Sequence, residues 1–494
     1  MAPLKIQTVG RTIEKEEDRR HIRDSDPFIV LGRRESRLQG EGMDRNTQLA
    51  KETRAGHVGS ELHGQTSLQG ITKKATKDRT HRFGNLYRLL NVQALKEAFN
   101  ELKKKAAAGI DGVTASDYAA DLNQNVEALA EELINKTYRA KKVRRVYIDK
   151  GNGKKRPLGI PAVSDKVVQR AAARILTAIY EPEFSANSYG YRPHTGAQKA
   201  VKDITNELQF GKYSYIVEAD IKGYFENIDH DWLLKMLEIR IADSAFLGLI
   251  RKWLKAGIMD IDGKVKHPVT GSPQGGIISP ILANIYLHYA LDLWFEKRIK
   301  SQGEGEAYLC RYADDFICAF RYKRDAQRFY RELTERLGKF GLELSAEKTN
   351  LINFSRFRKE DSPAFEFLGF EFRWGVSRKG KDLLKRRTSR SKLRKSIVAY
   401  TLWCRENRDT RLRRLFPKLN AKLQGYYNYF GLIGNYTSLW DFHTQAIRIL
   451  YKWLNRRSQR RSFNQSAFTA CLGRYSVVKP RIVESRYIQL QFDF

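Results

Sequence analysis

Twelve residues place the tightest limit on what this chain can fold into. Leu309 to Phe320 reads as an apolar segment interrupted at Tyr312-Ala313-Asp314-Asp315. Adjacent carboxylates are costly to bury without a partner. The break therefore reads as a β-hairpin whose tip displays its acids. A second short strand, Tyr215-Ile-Val-Glu-Ala219, runs into Asp220. Three carboxylates from two strand ends suit a hard divalent cation, because Mg²⁺ is held by a few carboxylates together with substrate phosphates. Asp220, Asp314 and Asp315 could hold two Mg²⁺ ions about 4 Å apart. One would activate an attacking hydroxyl and the other would neutralise a leaving pyrophosphate, which is the chemistry of nucleotidyl transfer.

The charge balance points to the same substrates. The 494 residues hold 90 Lys and Arg against 56 Asp and Glu, a net charge of +34. Such an excess costs self-repulsion and answers a polyanion. It argues against a small-metabolite enzyme. With 41% hydrophobic residues the chain has material for a sizeable core, so disorder throughout is excluded. Four cysteines, Cys310, Cys318, Cys404 and Cys471, form no Cys-x-x-Cys pair. They read as reduced, buried thiols of a cytoplasmic protein. His267 to Leu291 lacks Asp, Glu, Lys and Arg, yet Pro273, Gln274, Pro280 and Asn284 make it a loop plus a buried helix. No membrane partner is expected.

Four regions are expected along the chain. Residues 1–80 carry 16 basic and 12 acidic residues and a single aromatic, Phe28. They read as an N-terminal extension, partly disordered or ordered by a partner. Residues 81–375 mix strands and helices. Val143–Ile148 and Lys154–Ile160 form a hairpin around Gly151-Asn-Gly153. A helix runs from about Asp165 to Tyr180, and Phe365–Phe372 alternates as a further hairpin. Residues 376–470 read as a basic three-helix unit, with apolar positions Leu393, Ile397, Tyr400, Cys404 and two similar series. Within 378–461 there are 23 Lys and Arg against four acids. Residues 471–494 read as a tail.

Eight ordered blocks then resemble a reverse transcriptase, and more closely the reverse transcriptase/maturase encoded by group II introns. They are Ala108-Gly-Ile-Asp-Gly-Val113, Gly153-Lys-Lys-Arg-Pro-Leu-Gly-Ile-Pro161, Tyr189-Gly-Tyr-Arg-Pro193, Ala219-Asp-Ile-Lys-Gly-Tyr-Phe-Glu-Asn-Ile228, Gly271-Ser-Pro-Gln-Gly-Gly-Ile-Ile-Ser-Pro280, Tyr312-Ala-Asp-Asp315, Leu344-Ser-Ala-Glu-Lys348 and Phe367-Leu-Gly-Phe370. The basic region, with Leu423-Gln-Gly-Tyr-Tyr-Asn-Tyr-Phe430, is similar to the family's thumb and domain X.

The resemblance implies an α+β, right-hand polymerase of fingers, palm and thumb, followed by a basic helical domain. Asp220, Asp314 and Asp315 match the metal-binding catalytic carboxylates, and the carbonyl of Ile221 would add a ligand. Lys154 and Arg156 match residues that grip the incoming triphosphate, where Arg offers a planar fork and Lys a point charge. Gln274 matches a residue lining the nucleotide pocket. Phe225 matches the ring that excludes the 2′-hydroxyl, the group distinguishing RNA from DNA precursors. Lys348 matches a lysine near the phosphates. Arg192, Arg386, Arg387, Arg390, Arg394, Lys395, Arg456 and Arg457 are candidate nucleic-acid contacts.

Implied partners are structured intron RNA, an RNA template and a DNA primer or target, with dNTPs and Mg²⁺ bound at the active centre. Two dozen residues after the helical region cannot hold a Cys/His-rich nuclease, so the endonuclease-lacking type is expected. Bacterial cytoplasm is the expected location, with an organelle as the alternative. A splicing cofactor without chemistry, or a domesticated relative in defence or repair, would carry similar motifs.

Overall fold

The computed structural model describes residues 67–149, 155–260, 265–266, 270–271, 275–358, 362–457, 459–460 and 462–484. Lys154, Gln274 and most of the N-terminal extension lie outside them.

The N-terminal half is mainly helical: α1 (Leu68–Lys77), α2 (Val92–Glu101), α3 (Ala115–Ala120) and α4 (Leu122–Ile134) precede the hairpin of β1 (Val143–Asp149) and β2 (Lys155–Ile160). Starts are set by side-chain caps. Asn91 caps α2, and Thr114 and Asp117 form a reciprocal capping box on α3. Helices α1 and α2 pack on α5 (Val163–Tyr180), a long helix with Val167, Val168, Ala172 and Leu176 fully buried, while α4 packs on α2 and α3 on α4.

The first correction concerns α1. Packed structure begins within residues 1–80, because Ile71 and Ala75 are buried against the α5 layer and Ser67 caps the helix. Two small apolar anchors suffice where a large helix already offers a surface. Composition alone could not show that.

The central unit contains α6 (Ala197–Phe210), β3 (Tyr215–Asp220), α7 (His230–Glu238), α8 (Ser244–Leu254), β4 (Ile258–Met259) and β5 (Val265–Lys266). Then follow α9 (Ser279–Leu287), which continues through two wide turns to α10 (Lys300–Gln302), β6 (Ala307–Tyr312), β7 (Asp315–Phe320), α11 (Lys323–Gly338) and β8 (Asn350–Asn353). The uncharged stretch thus contains a buried helix, as its prolines and Asn284 implied. Among the described residues no helix is long and apolar enough to cross a membrane.

Strands β6-β7-β3-β8 form one antiparallel sheet, and β2-β1-β4-β5 form a second. Alternation along β3 and β7 serves two cores. Val217, Ala219, Phe316 and Cys318 face the layer of α5, α9 and α11, while Ile216, Ile317 and Ala319 face α6. All four cysteines are free and buried.

On the α6 side lie β9 (Phe365–Phe367), β10 (Phe370–Val376) and β11 (Asp382–Thr388), a sheet of order β11-β10-β9. The chain ends in α12 (Arg390–Glu406), α13 (Leu412–Phe430), α14 (Tyr436–Leu454) and α15 (Gln465–Arg474). Among the described residues four helices stand where three were expected. The fourth includes Cys471, and Val477, Val478 and Ile482 pack on the same core. The chain therefore stays packed past residue 470, up to the last described residue, Glu484.

Candidate active site

Backbone pairing brings the three aspartates together. Tyr312 and Asp315 pair across the β6–β7 hairpin, leaving Ala313 and Asp314 as a two-residue turn. Asp220 pairs with Asp315 across β3 and β7. Ala313 turns the corner at φ +57°, a left-handed conformation that side chains seldom adopt.

Two devices hold it there. Gly190 lies directly beneath, where an added Cβ would meet the Ala313 nitrogen at 2.3 Å. Beside it Arg311 is fully buried. It donates to both Asp292 oxygens at 2.7 and 2.6 Å, to Asn284 Oδ1 at 3.1 Å and to the Ala313 carbonyl at 3.0 Å. Asn284 Nδ2 then donates to the Gly190 carbonyl at 2.7 Å. A bidentate, fully partnered arginine of this kind is costly to disturb. Sequence reading passed over Arg311, although an arginine inside an apolar strand and an aspartate closing an uncharged run were visible signals.

The electrostatics suit a cation. Enclosure by the cleft raises the Asp314 carboxyl, with Asp220 adding to the effect and Arg156 and Lys348 opposing it. Enclosure and then the charges of Asp314 and Asp220 push Asp315 up to about 7, though its tip is open to solvent. Lys348 Nζ lies 2.6 Å from Asp220 Oδ2, and this contact raises the lysine. Asp220 thus already holds a positive group.

Ile221 sits opposite Leu344 in a bridge closed by Lys222 N to Glu343 O and Ser345 N to Asp220 O. In that arrangement its own carbonyl is turned away from Leu344. Among the described residues no group of three His, Cys, Asp or Glu forms a ready-made metal cage. Mg²⁺ does not demand one, since it keeps waters and takes substrate phosphates. The clustered acids, with the Asp314 and Asp315 carboxyls raised, fit such an ion.

Phe225 stands in a tight turn, Tyr224–Glu226, whose Tyr224 is buried and donates to the Ala283 carbonyl. Phe225 is half-buried, edge-on to Tyr191 at 6.3 Å. Tyr191 is 56% exposed and left-handed at φ +58°, and its hydroxyl is raised by enclosure and by Asp314. It is a site neighbour that sequence reading quoted but did not single out. Arg156 is exposed on β2, opposite Ile148, and its charge reaches Asp314 and Tyr191. Gly271 abuts the Glu226 carbonyl, beside the Phe225 turn, and Gly275 abuts the Gly159 carbonyl on β2.

The basic candidates divide. Arg192 is a structural tie: it pairs with Glu181 at 2.8 Å and donates to the Ser185 and Ser188 carbonyls. Arg386 is buried against Glu484, Thr205 and the Ile433 carbonyl. Acids neutralise both guanidiniums, Glu181 that of Arg192 and Glu484 that of Arg386. Arg387 pairs with Glu371 at 2.6 Å, and Arg457 donates to the Thr410 carbonyl. Arg390, Arg394, Lys395 and Arg456 are exposed.

Comparison with known proteins agrees with this geometry. Residues 148–372 match the family model described as reverse transcriptase (RNA-dependent DNA polymerase). The group II intron-encoded protein LtrA of Lactococcus lactis subsp. cremoris is 31% identical over 457 residues, covering 75% of this chain and 74% of its own. The chain belongs to the group II intron reverse transcriptase/maturase family. It is an RNA-directed DNA polymerase with the family's maturase activity, and the polymerase palm and fingers account for its mixed sheets and helices. The family works with divalent metal ions and deoxynucleoside triphosphates. Protein YkfC of Escherichia coli (strain K12) is 33% identical over 311 residues, covering 56% of this chain and 81% of its own. A nuclear intron maturase 4, mitochondrial, of Arabidopsis thaliana is 27% identical over 281 residues, 47% of this chain and 34% of its own.

Proposed function

We propose that the chain copies RNA into DNA at Asp220, Asp314 and Asp315, in support of group II intron mobility by target-primed reverse transcription. The observation that carries this reading is the convergence of the three carboxylates at the joined ends of β3 and the β6–β7 hairpin. Two Mg²⁺ ions held by them and by the Ile221 carbonyl would activate the primer hydroxyl and stabilise the leaving pyrophosphate. Arg156, with Lys154 and Gln274, grips the triphosphate. Phe225 closes the space beside the sugar. Lys348, which is held on Asp220, would be released to the phosphates if an ion took its place there.

Helices α12 to α15 act as thumb and domain X, and Arg390, Arg394, Lys395 and Arg456 hold the phosphate backbone of intron RNA or template–primer. Relatives named as intron-encoded proteins and maturases favour this reading over a domesticated or splicing-only role.

One paired experiment tests it. Asp314→Ala should lose primer extension on an RNA template while keeping RNA affinity. The triple variant Arg390→Gln, Arg394→Gln, Lys395→Gln should flatten the dependence of affinity on log[salt], by up to about 0.9 for each duplex phosphate no longer neutralised. Persisting synthesis in the first variant would overturn the metal assignment. An unchanged slope in the second would place the RNA backbone elsewhere on the molecule.

A further inference from the structure

A groove of about 730 Å³ opens between the C-terminal end of α6, the β10–β11 hairpin and the start of α14. Seven cations line it from one hairpin; Arg386 and Arg387 are paired with Glu484 and Glu371, which leaves five, Arg373, Arg378, Lys379, Lys381 and Lys385. All five are exposed, and among the described residues none forms an ion pair. Arg373 and Lys385 stand directly opposite each other across β10 and β11. Like charges in that position are destabilising unless an anion lies between them.

The groove is built rather than casual. Gln209 fixes the hairpin to α6, donating to the Asp382 carbonyl at 3.0 Å and accepting from Leu384 N at 2.8 Å. Gly375 leaves room for the Lys385 stem, since a Cβ there would meet its Cε at 2.9 Å. Arg386 and Glu484 cancel each other in the lining, leaving Asp382 and Asp441 as the remaining acids. At one edge Phe210 shows 63% of its surface.

The groove sits at the start of β3, not at its end. Tyr215 to Asp220 spans five strand steps, roughly 17 Å at 3.3 Å each. A single nucleotide engaged at the aspartates does not reach it.

We propose that this groove binds a single-stranded polynucleotide, an RNA strand in the first place, separately from the template–primer. The hairpin cations track its phosphates, and Phe210 stacks on a base. Cations along a groove with an adjacent aromatic platform are how single strands are held without sequence preference. The inference rests on the chain being an RNA-handling polymerase and assigns it a second strand site, one that would anchor a long RNA while its other end is copied.

The test uses the full chain and a fluorescent oligouridylate, with the deoxy oligomer of equal length and an RNA duplex as parallel arms. The triple variant Arg373→Gln, Lys381→Gln, Lys385→Gln should reduce the salt slope of oligouridylate binding by about 2, at roughly 0.7 for each single-strand phosphate neutralised. Phe210→Ala should weaken the same binding roughly tenfold. Both should extend a short, preannealed primer–template at the unmodified rate. A control triple on α11 and its C-cap, Lys323→Gln, Arg331→Gln, Lys339→Gln, removes equal charge from exposed positions and should leave the slope unchanged.

An unchanged slope in the hairpin triple, or an equal fall in the control, overturns the proposal. So does a dependence seen with the deoxy oligomer alone, or one seen with the duplex but insensitive to Phe210. Failure of primer extension in the hairpin triple would assign the hairpin to the template–primer cleft and overturn the second site, leaving the polymerase reading intact. An unmodified chain without primer extension would instead defeat the polymerase reading itself.

Discussion

Asp315 shows how a single residue can carry both a cost and a function. Its carboxyl is pushed up to about 7 by enclosure and by Asp314 and Asp220. A folded-state value above the ordinary carboxylate range of about 4 means the folded chain binds more protons in between. Metal-free stability should therefore be fully present below about pH 4 and fall as pH rises to about 7. Thermal unfolding across that window checks the sign, and Asp315→Asn should flatten the curve. Added Mg²⁺ should raise the unfolding temperature more at pH 8 than at pH 6, because the ion competes with the proton. A metal-free stability that rises through the window would contradict the arrangement. Phe225 makes a second residue-scale case. Phe225→Ala should admit ribonucleotides, checked by their incorporation relative to deoxynucleotides, and unchanged selection would remove the gate. Asp315 stood out in the sequence because carboxylates interrupt an apolar strand, whereas Phe225 was singled out only through the resemblance to reverse transcriptases. The ion pairs that neutralise Arg192 and Arg386 could not be read in advance, because Glu181 and Glu484 carry no sequence signature of pairing.

At the scale of elements, the β6–β7 hairpin is positioned by what lies beneath it. Ala313 accepts a left-handed backbone because Gly190 and the Arg311–Asp292–Asn284 network leave the turn no room to relax. Gly190→Ala should force the turn away, at a cost of about 1–3 kcal/mol for an overpacked site. Nucleotide addition should fall well beyond that loss of stability, while RNA affinity persists. Chemical denaturation and single-turnover rates, measured together, separate the two effects. An active Gly190→Ala would show that the turn is held by other means. Strands and long helices followed from alternation and helical spacing. Helix α1 did not, because its order comes from docking Ile71 and Ala75 on α5 rather than from its own composition. Helix α15 was missed for a similar reason: a single buried face, Phe468 and Cys471, reads weakly in ten residues.

Across the whole molecule, the +34 charge is not one surface but several. Part is spent internally, on Arg311, Arg192 and Arg386, which hold the fold. Part lies open on α12 and after α14, and part lines the groove beside α6. The acids are fewer, and three of them meet at one place between the two large cores. That meeting is the central claim, and the most direct measurement is the single-turnover rate of deoxynucleotide addition to an RNA-templated primer by Asp220→Asn, in protein shown to be folded and template-bound. The expected result is a fall of a thousandfold or more, about the upper end for loss of one charge-stabilising group. A rate within about tenfold of the unmodified chain would contradict the assignment of these three aspartates to the chemistry.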